Sequence, residues 1–337
     1  MTGCKSLASI PLALTLTVAA AACGKAESRT RGAAVGSEEA TDSLAAKLDA
    51  YVTCINTFSR DVHAGRRAYL DSFDGKQGPT AEDVKKGRLY GPRKLSDPKE
   101  CLDGVAAAEK LDPRRPKLEA AGKAYVTALQ KIVPLYAELD PYFEREDYRD
   151  DALAKGKARH PELMAAWQAF GAADQSLSDE VDSAEDEVQQ ARLAHLEKTE
   201  GKKLRFLHTR LIATAKKVVR AGLADDPSEI DLEKLQAAVS EYETHWAELH
   251  AFAAAHKAEV DAQVMAYWRI DSPAEELLKS GKAVMRRRRD KVPFSTGERS
   301  TIAAHNAESV EGHPASLLRA YNGLIDATNG MSFRVAN

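Results

Sequence analysis

Aromatic residues are scarce in this chain, and the motifs that mark many enzyme classes are missing. Tyr, Phe and Trp make up 6% of the 337 residues, and no segment alternates apolar and polar residues as a half-buried strand does. There is no Gly-x-Ser-x-Gly turn, His-Glu-x-x-His motif, phosphate-binding loop or glycine-rich dinucleotide turn. None of the nine histidines follows a glutamate by three residues, which counts against a helical di-iron site. The sequence therefore predicts no catalytic residue and no cofactor.

The chain also lacks an excess of positive charge. It contains 48 Lys and Arg residues against 51 Asp and Glu residues, so its formal net charge is −3. A nucleic-acid-binding protein would present a clearly basic face. The sequence therefore predicts no nucleic-acid partner.

Residues 1–22 have the pattern of a secretory signal that is removed. Lys5 precedes an apolar run without charge, and small residues lead into Cys23. The residues before Cys23 resemble the lipobox of bacterial lipoproteins, although Ala20 stands where Leu is usual. The resemblance implies that Cys23 carries the lipid (palmitate among its acyl chains) and becomes the N-terminus. The alternative is ordinary cleavage after Ala22, which would leave a soluble protein with a free Cys23.

The lipobox resemblance also implies a location for the mature protein. A lipid on Cys23 would hold the chain to a membrane on the periplasmic side of the cell envelope. Gly24 follows the cysteine in place of Asp, which favours the outer membrane over the inner. Residues 23–37 are rich in Gly, Ala, Ser and charge without any period, so we predict a flexible tether there.

Long apolar stripes with helical spacing predict an all-α fold after the tether. We expect one elongated domain over residues 38–330, a bundle of long antiparallel helices with short connecting helices and no sheet. The pattern changes phase at Gly201, which leaves open whether 161–222 is one helix or two. The predicted helical stretches are 44–69, 114–146, 161–222, a helix after 227, and shorter helices near 273–290 and 313–329.

Proline and acidic residues mark several predicted helix ends and bends. Asp97 is expected to cap a short helix with Pro98 in its first turn, and Asp226 to cap another with Pro227. Pro134 lies inside the second long stripe and is expected to kink that helix.

Two cysteines, Cys54 and Cys101, remain in the chain beyond Cys23. Because an envelope compartment is oxidising, a pair left in the mature chain is more often bridged than free. The sequence therefore predicts a Cys54–Cys101 disulfide.

The charged stretch 144–167, EREDYRDDALAKGKARHPELMAAW, allows two interpretations. In the favoured one it is an elbow between two long helices. Asp150 or Asp151 then caps a short turn, and Pro161 starts the next helix and keeps His160 out of α geometry. In the other interpretation the stretch is a site for a metal or small ligand. The candidate ligand-binding residues are Asp147, Tyr148, Asp150, Asp151, Lys155 and His160.

A weaker metal candidate lies in the segment SEYETHWAELHAF. Glu241, His245 and Glu248 share one helical face at positions i, i+4 and i+7. The alternative is a polar edge beside the apolar stripe that contains Tyr242 and Trp246, and we favour that interpretation.

Five segments together resemble the YiiG-like lipoproteins, a bacterial family of unknown function. They are the stretch 144–167, LEKTEGKKLRFLHTRLI, YVTCIN, GPT and ASLLRAYNGLIDATN, and they span residues 44–329. Arg149 stands where that family usually has Lys, which keeps the charge. The resemblance implies a helical lipoprotein on the periplasmic side and supplies no catalytic residue.

These observations lead to two expectations about function. The leading one is a non-enzymatic, lipid-anchored envelope protein that binds or braces an unidentified envelope protein or small ligand. The alternative is a periplasmic protein that binds a metal or small ligand at 147–160. In a hydrolytic version of this alternative, the small ligand is the substrate.

Overall fold

Helices form most of the described chain, so the all-α class is confirmed. The computed structural model describes residues 32–72, 77–224, 227–265, 267–304 and 306–333, and the predicted signal and Cys23 lie outside these ranges. Within them are eleven α-helices: α1 Gly32–Asp71, α2 Ala81–Lys86, α3 Lys99–Ala108, α4 Pro116–Glu144, α5 Ala154–Thr199, α6 Leu204–Gly222, α7 Leu232–Ala255, α8 Lys257–Gln263, α9 Asp271–Arg289, α10 Thr296–Ala303 and α11 Pro314–Asn329.

One short strand pair accompanies these helices in the described ranges. β1 (Val264–Met265) pairs antiparallel with β2 (Ser332–Phe333). The sequence predicted no sheet, because two residues are too few to show an alternating pattern. No helix of the described part is long and apolar enough to cross a membrane.

The described chain divides into two compact units, and the boundary falls inside α5 between Val188 and Gln189. The sequence predicted one domain over 38–330, because the helical pattern runs through this point without a break. The predicted tether 23–37 overlaps α1, which begins at Gly32. Only residues 23–31 of that segment therefore lie before the first described helix.

The first unit is built on three long helices, α1, α4 and α5. Lys47 in the first half of α1 contacts Glu119 near the start of α4. Farther along both helices, the carbonyl of Val62 accepts a hydrogen bond from the hydroxyl of Tyr136 at 2.6 Å. The contacts advance together, so α1 and α4 run in the same direction.

Helix α5 runs antiparallel to α1 in this unit. His63 of α1 contacts Asp174 of α5, while Tyr69, later in α1, contacts His160, earlier in α5. The two sets of contacts therefore advance in opposite directions. Apolar side chains of all three helices form one buried cluster, which includes Phe58, Leu129 and Phe170 among others.

The parallel pair α1 and α4 requires a crossover, which the loop 77–98 and α3 provide. The disulfide Cys54–Cys101 joins α3 to α1 with a Cα–Cα distance of 5.0 Å, so the predicted pairing is confirmed. The predicted cap differs slightly: Asp97 accepts the Lys99 N–H at 2.9 Å, but Pro98 occupies the N-cap position.

Prolines interrupt the helices less than the sequence predicted. Helix α4 contains Pro134 and continues past Pro141, and α5 begins seven residues before Pro161 and runs through it. His160 is therefore helical, contrary to the prediction. Its side chain and that of Leu163 are buried on either side of the proline, so packing maintains the helix despite the lost N–H.

The second unit packs α6, α7, α9 and α11 against one another. Gly222 of α6 is close to Leu317 of α11, since a Cβ at this glycine would lie 2.4 Å from the leucine Cδ2 atom. Gly201, with φ of 77°, separates α5 from α6, so 161–222 contains two helices. Asp231 caps α7 by accepting the Lys234 N–H at 3.2 Å. The predicted cap, Asp226, lies outside the described residues.

Candidate functional site

The charged stretch forms a compact elbow, residues 145–153, between α4 and α5. Residues 147–149 make one 3-10 turn, and Glu146, Ala152 and Leu153 have positive φ angles of 59°, 54° and 68°. Tyr148 and Leu153 are buried and fix the turn to the core. Such angles are unfavourable for residues with a Cβ, so the buried side chains must stabilise this backbone.

Asp151 caps the start of α5. Its carboxylate accepts the Lys155 N–H and the Tyr142 hydroxyl, each at 3.0 Å. Burial raises the pKa of Asp151, but these hydrogen bonds and those from the Leu153 and Ala154 N–H groups outweigh it and keep the pKa below its usual value. Asp150, the alternative cap, is exposed.

Two further candidate ligand residues, Asp147 in the elbow and Lys155 in the first turn of α5, have partners within the protein. Asp147 pairs with Arg145 at 2.7 Å, and the hydrogen bond from that guanidinium lowers the aspartate pKa. Lys155 lies 3.4 Å from Glu138 and 5.5 Å from the ring centroid of Tyr142. Asp147 and Lys155 are therefore each paired with a charge of opposite sign from the same chain.

Tyr148 and His160 have structural partners that are distant in sequence. The Tyr148 hydroxyl accepts the Leu89 N–H at 3.1 Å. His160 Nδ1 lies 3.0 Å from the hydroxyl of Tyr69, and the two rings stack. A Cβ at Gly78 would lie 2.8 Å from the His160 ring, so the segment after α1 passes directly over it. Tyr148 thus holds the 77–98 loop against the elbow, and His160 holds α1 and the start of that loop against α5.

The weaker metal candidates, Glu241, His245 and Glu248, are not arranged to bind one metal ion. Glu241 pairs with Lys217 at 2.9 Å, and Glu248 pairs with Arg210. Burial lowers the pKa of His245. Across the ranges that the structure describes, no three His, Cys, Asp or Glu side chains are placed to hold a metal ion.

A buried polar cluster in the first unit was not predicted from the sequence. Asp174 accepts a hydrogen bond from the hydroxyl of Ser59, and its other oxygen lies 3.0 Å from Nε2 of His63. The Tyr125 hydroxyl lies 3.3 Å from Ser59 Oγ and donates to the Cys54 carbonyl at 3.2 Å. The available signal was Asp174 itself, which occupies a core position of an apolar stripe.

The residue types of this cluster are those of a nucleophilic triad, but their arrangement is different. In a triad the histidine lies between serine and carboxylate and removes the serine proton. Here the carboxylate of Asp174 contacts both Ser59 and His63, and all three residues are buried. The cluster joins α1, α4 and α5 in the core and has the character of a structural network.

The structure is that of a mainly helical protein. Its polar side chains at the elbow and around Asp174 form hydrogen bonds with other residues of the same chain. Residues 42–330 match the family described as protein of unknown function (DUF3829), and the chain belongs to this family. It is also 30% identical over 287 residues to the uncharacterized protein YiiG of Escherichia coli (strain K12), which covers 85% of this chain and 78% of that protein. No solved structure matches.

Replacing Asp151 by Ala is expected to destabilise the protein by about 1 kcal/mol, because α5 loses its cap and Tyr142 loses its acceptor. Urea unfolding followed by circular dichroism measures the change. Asp150→Ala is the matched control, since that exposed carboxylate should alter the free energy of unfolding by less than about 0.5 kcal/mol. Equal losses in both variants would contradict the capping role.

His208 of α6 is expected to make the protein less stable in mild acid. Burial lowers its pKa to about 4, against about 6.5 in the unfolded chain. Below pH ~6.5 the unfolded chain binds the proton first, so stability falls as the pH drops towards ~4, by up to roughly 3 kcal/mol. His208→Gln should remove this part of the pH dependence in urea titrations. Identical slopes for the two proteins between pH ~6.5 and ~4 would contradict the assignment.

Proposed function

We propose that the protein is a lipid-anchored component of the cell envelope, held at Cys23 on the periplasmic side of a membrane. The observation that carries the proposal is the leader, in which an apolar run and small residues end directly at Cys23. Gly24 favours the outer membrane. A lipid on this cysteine anchors the chain without a membrane-spanning helix.

The disulfide Cys54–Cys101 supports an oxidising compartment. Such bonds persist in extracytoplasmic proteins and are rare in the reducing cytosol. Both cysteines are buried between α1 and α3, and the bond closes the crossover that leads to α4. This agrees with a chain that folds after export.

We further propose that the helical units bind or brace an envelope partner and do not act as an enzyme. The support is the state of the polar side chains: Asp147, Asp151 and Lys155 at the elbow pair with neighbouring groups. In the core, the Ser59 hydroxyl donates a hydrogen bond to the carboxylate of Asp174. These arrangements are those of structural contacts, so a ligand site at 147–160 is the less favoured alternative.

Cys23→Ser is expected to release the protein from its membrane or to mislocalise it, while the protein remains folded. The reason is that the change removes the only acceptor for the lipid and lies before the first described helix. Cell fractionation with immunoblotting measures the distribution. Cys4→Ser is the matched control, because Cys4 lies inside the leader. Equal distributions of Cys23→Ser and wild type would contradict the anchor.

A further inference from the structure

Residues 84–96, which we name the basic loop, carry a charge opposite to that of the chain. The segment contains five basic residues and no acidic one, whereas the net charge of the whole chain is −3. It starts within α2 and continues without regular structure towards α3. Three of its cations pair with acids: Lys85 with Glu82, Lys86 with Asp83, and Arg88 with Glu144.

The two remaining cations of the basic loop, Arg93 and Lys94, point to a partner outside the chain. Both are exposed, and neither forms an ion pair with any residue in the described ranges. Tyr90 lies in the same loop and keeps 57% of its surface exposed, which makes it one of the most exposed large apolar side chains in these ranges. Tyr and Arg are both enriched at protein-binding surfaces, and this loop exposes one of each.

Contacts within the protein hold the backbone of the basic loop at residues 89–91, directly before Arg93 and Lys94. The Leu89 N–H donates to the Tyr148 hydroxyl at 3.1 Å, and the Tyr90 N–H donates to Ser72 Oγ at 3.0 Å. Gly91 packs so closely on Phe143 that a Cβ would lie 2.2 Å from the phenylalanine ring. Rigid presentation reduces the entropy lost on binding.

The chemistry of these side chains fits carboxylates. Arg93 offers a planar fork that pairs with a carboxylate through two hydrogen bonds, and Lys94 adds a second positive charge. Tyr90 supplies apolar area and a hydroxyl for contact with a peptide backbone. We propose that the basic loop binds an acidic peptide segment of an envelope partner. This inference rests on the proposed function for the compartment in which the partner is met.

The position of the basic loop favours a peptide over the membrane surface. Helix α1 has 40 residues, which corresponds to a length of about 60 Å. The proposed anchor precedes its first residue, Gly32, whereas the loop contacts Ser72, just beyond its last residue. The chain from the proposed anchor therefore enters α1 at its first residue, whereas the basic loop contacts the opposite end of this helix.

Fluorescence anisotropy of a labelled glutamate-rich peptide, titrated with the full chain at low salt, tests this inference. We expect binding that weakens as salt is added, and an affinity about tenfold lower for the double variant Arg93→Gln/Lys94→Gln. The double variant Lys110→Gln/Lys131→Gln removes the same charge from other exposed positions and should bind like wild type. Tyr148→Phe keeps every charge but releases the Leu89 N–H, and should weaken binding several-fold.

Two results would overturn the inference. One is an equal loss of affinity in both double variants, which would show that the peptide senses only net charge. The other is tighter binding of the same loop to vesicles of anionic phospholipid than to the peptide. The titration does not depend on Cys23, because the Cys23→Ser chain can be used in the same assay. A failure of the anchor proposal would appear in the fractionation experiment, and a failure of the peptide proposal would appear in the titration, so the two can be distinguished.

Discussion

Replacing Lys47 by Met is expected to destabilise the protein by about 3–5 kcal/mol, because it leaves buried polar groups without their partner. The ammonium group is fully buried and contacts the carboxylate of Glu119. It also donates to the carbonyls of Leu111 at 3.0 Å and Pro113 at 3.1 Å. One lysine thus holds together α1, the start of α4 and the segment between α3 and α4.

Glu119 cannot replace this loss through its other contacts. Arg114 pairs with it at 2.7 Å and, together with Lys47 and the Arg115 N–H, keeps its pKa well below the usual value. Arg114 and the Arg115 N–H still donate to both oxygens of Glu119 in the variant, so the carboxylate keeps these partners. Without Lys47, the carbonyls of Leu111 and Pro113 lose their ammonium donor, and the carboxylate of Glu119 has no hydrogen to offer them.

An exposed ion pair is the control for the Lys47 prediction. Lys99 pairs with Asp103 one turn away in α3, and both side chains are mostly exposed. Lys99→Met should change the free energy of unfolding by only about 0–1 kcal/mol. Urea titration of both variants measures the difference. A Lys47→Met loss as small as that of Lys99→Met would contradict the burial and contacts assigned to Lys47.

Replacing both Cys54 and Cys101 by Ala is expected to destabilise the protein by about 4 kcal/mol. The bond joins residues 47 positions apart, and the chain-entropy relation gives about this value for a loop of that length. The loss should appear as a lower midpoint of urea unfolding under oxidising conditions. The stability falls because α3 and the crossover lose their covalent link to α1.

A reducing agent is the control for the disulfide prediction. Reduction should lower the stability of the wild type to nearly that of the double alanine variant, and should leave the variant unchanged. Alkylation followed by peptide mapping reports the redox state directly. The purified protein would be unfolded without reduction before alkylation. Alkylation of both Cys54 and Cys101 in that sample would contradict the bond.

The long helices could be predicted from the sequence because their apolar stripes persist over many turns. The stripe 44–69 lies within α1, and 114–146 matches α4 to within two residues at each end. The parallel direction of α1 and α4 could not be predicted in this way. It depends on the path of the crossover, and the crossover is set by tertiary contacts such as the disulfide and not by local periodicity.

Only the local part of the elbow was readable from the sequence. Residue type and position predicted a cap at Asp150 or Asp151, and the structure places it at Asp151 on the start of α5. The roles of Tyr148 and His160 depend on Leu89 and Tyr69, which lie 59 and 91 residues away in the chain. Pro161 was misread as a helix start, because the buried packing that maintains α5 on both sides of it is also tertiary.

Mass spectrometry of the N-terminal peptide from the purified mature protein tests the central claim most directly. If the protein is an anchored envelope component, the peptide begins at Cys23, and its mass exceeds that of the bare sequence by a lipid with attached acyl chains. An N-terminal peptide that begins at Cys23 without added mass, or one that retains residues of the leader, would contradict the account.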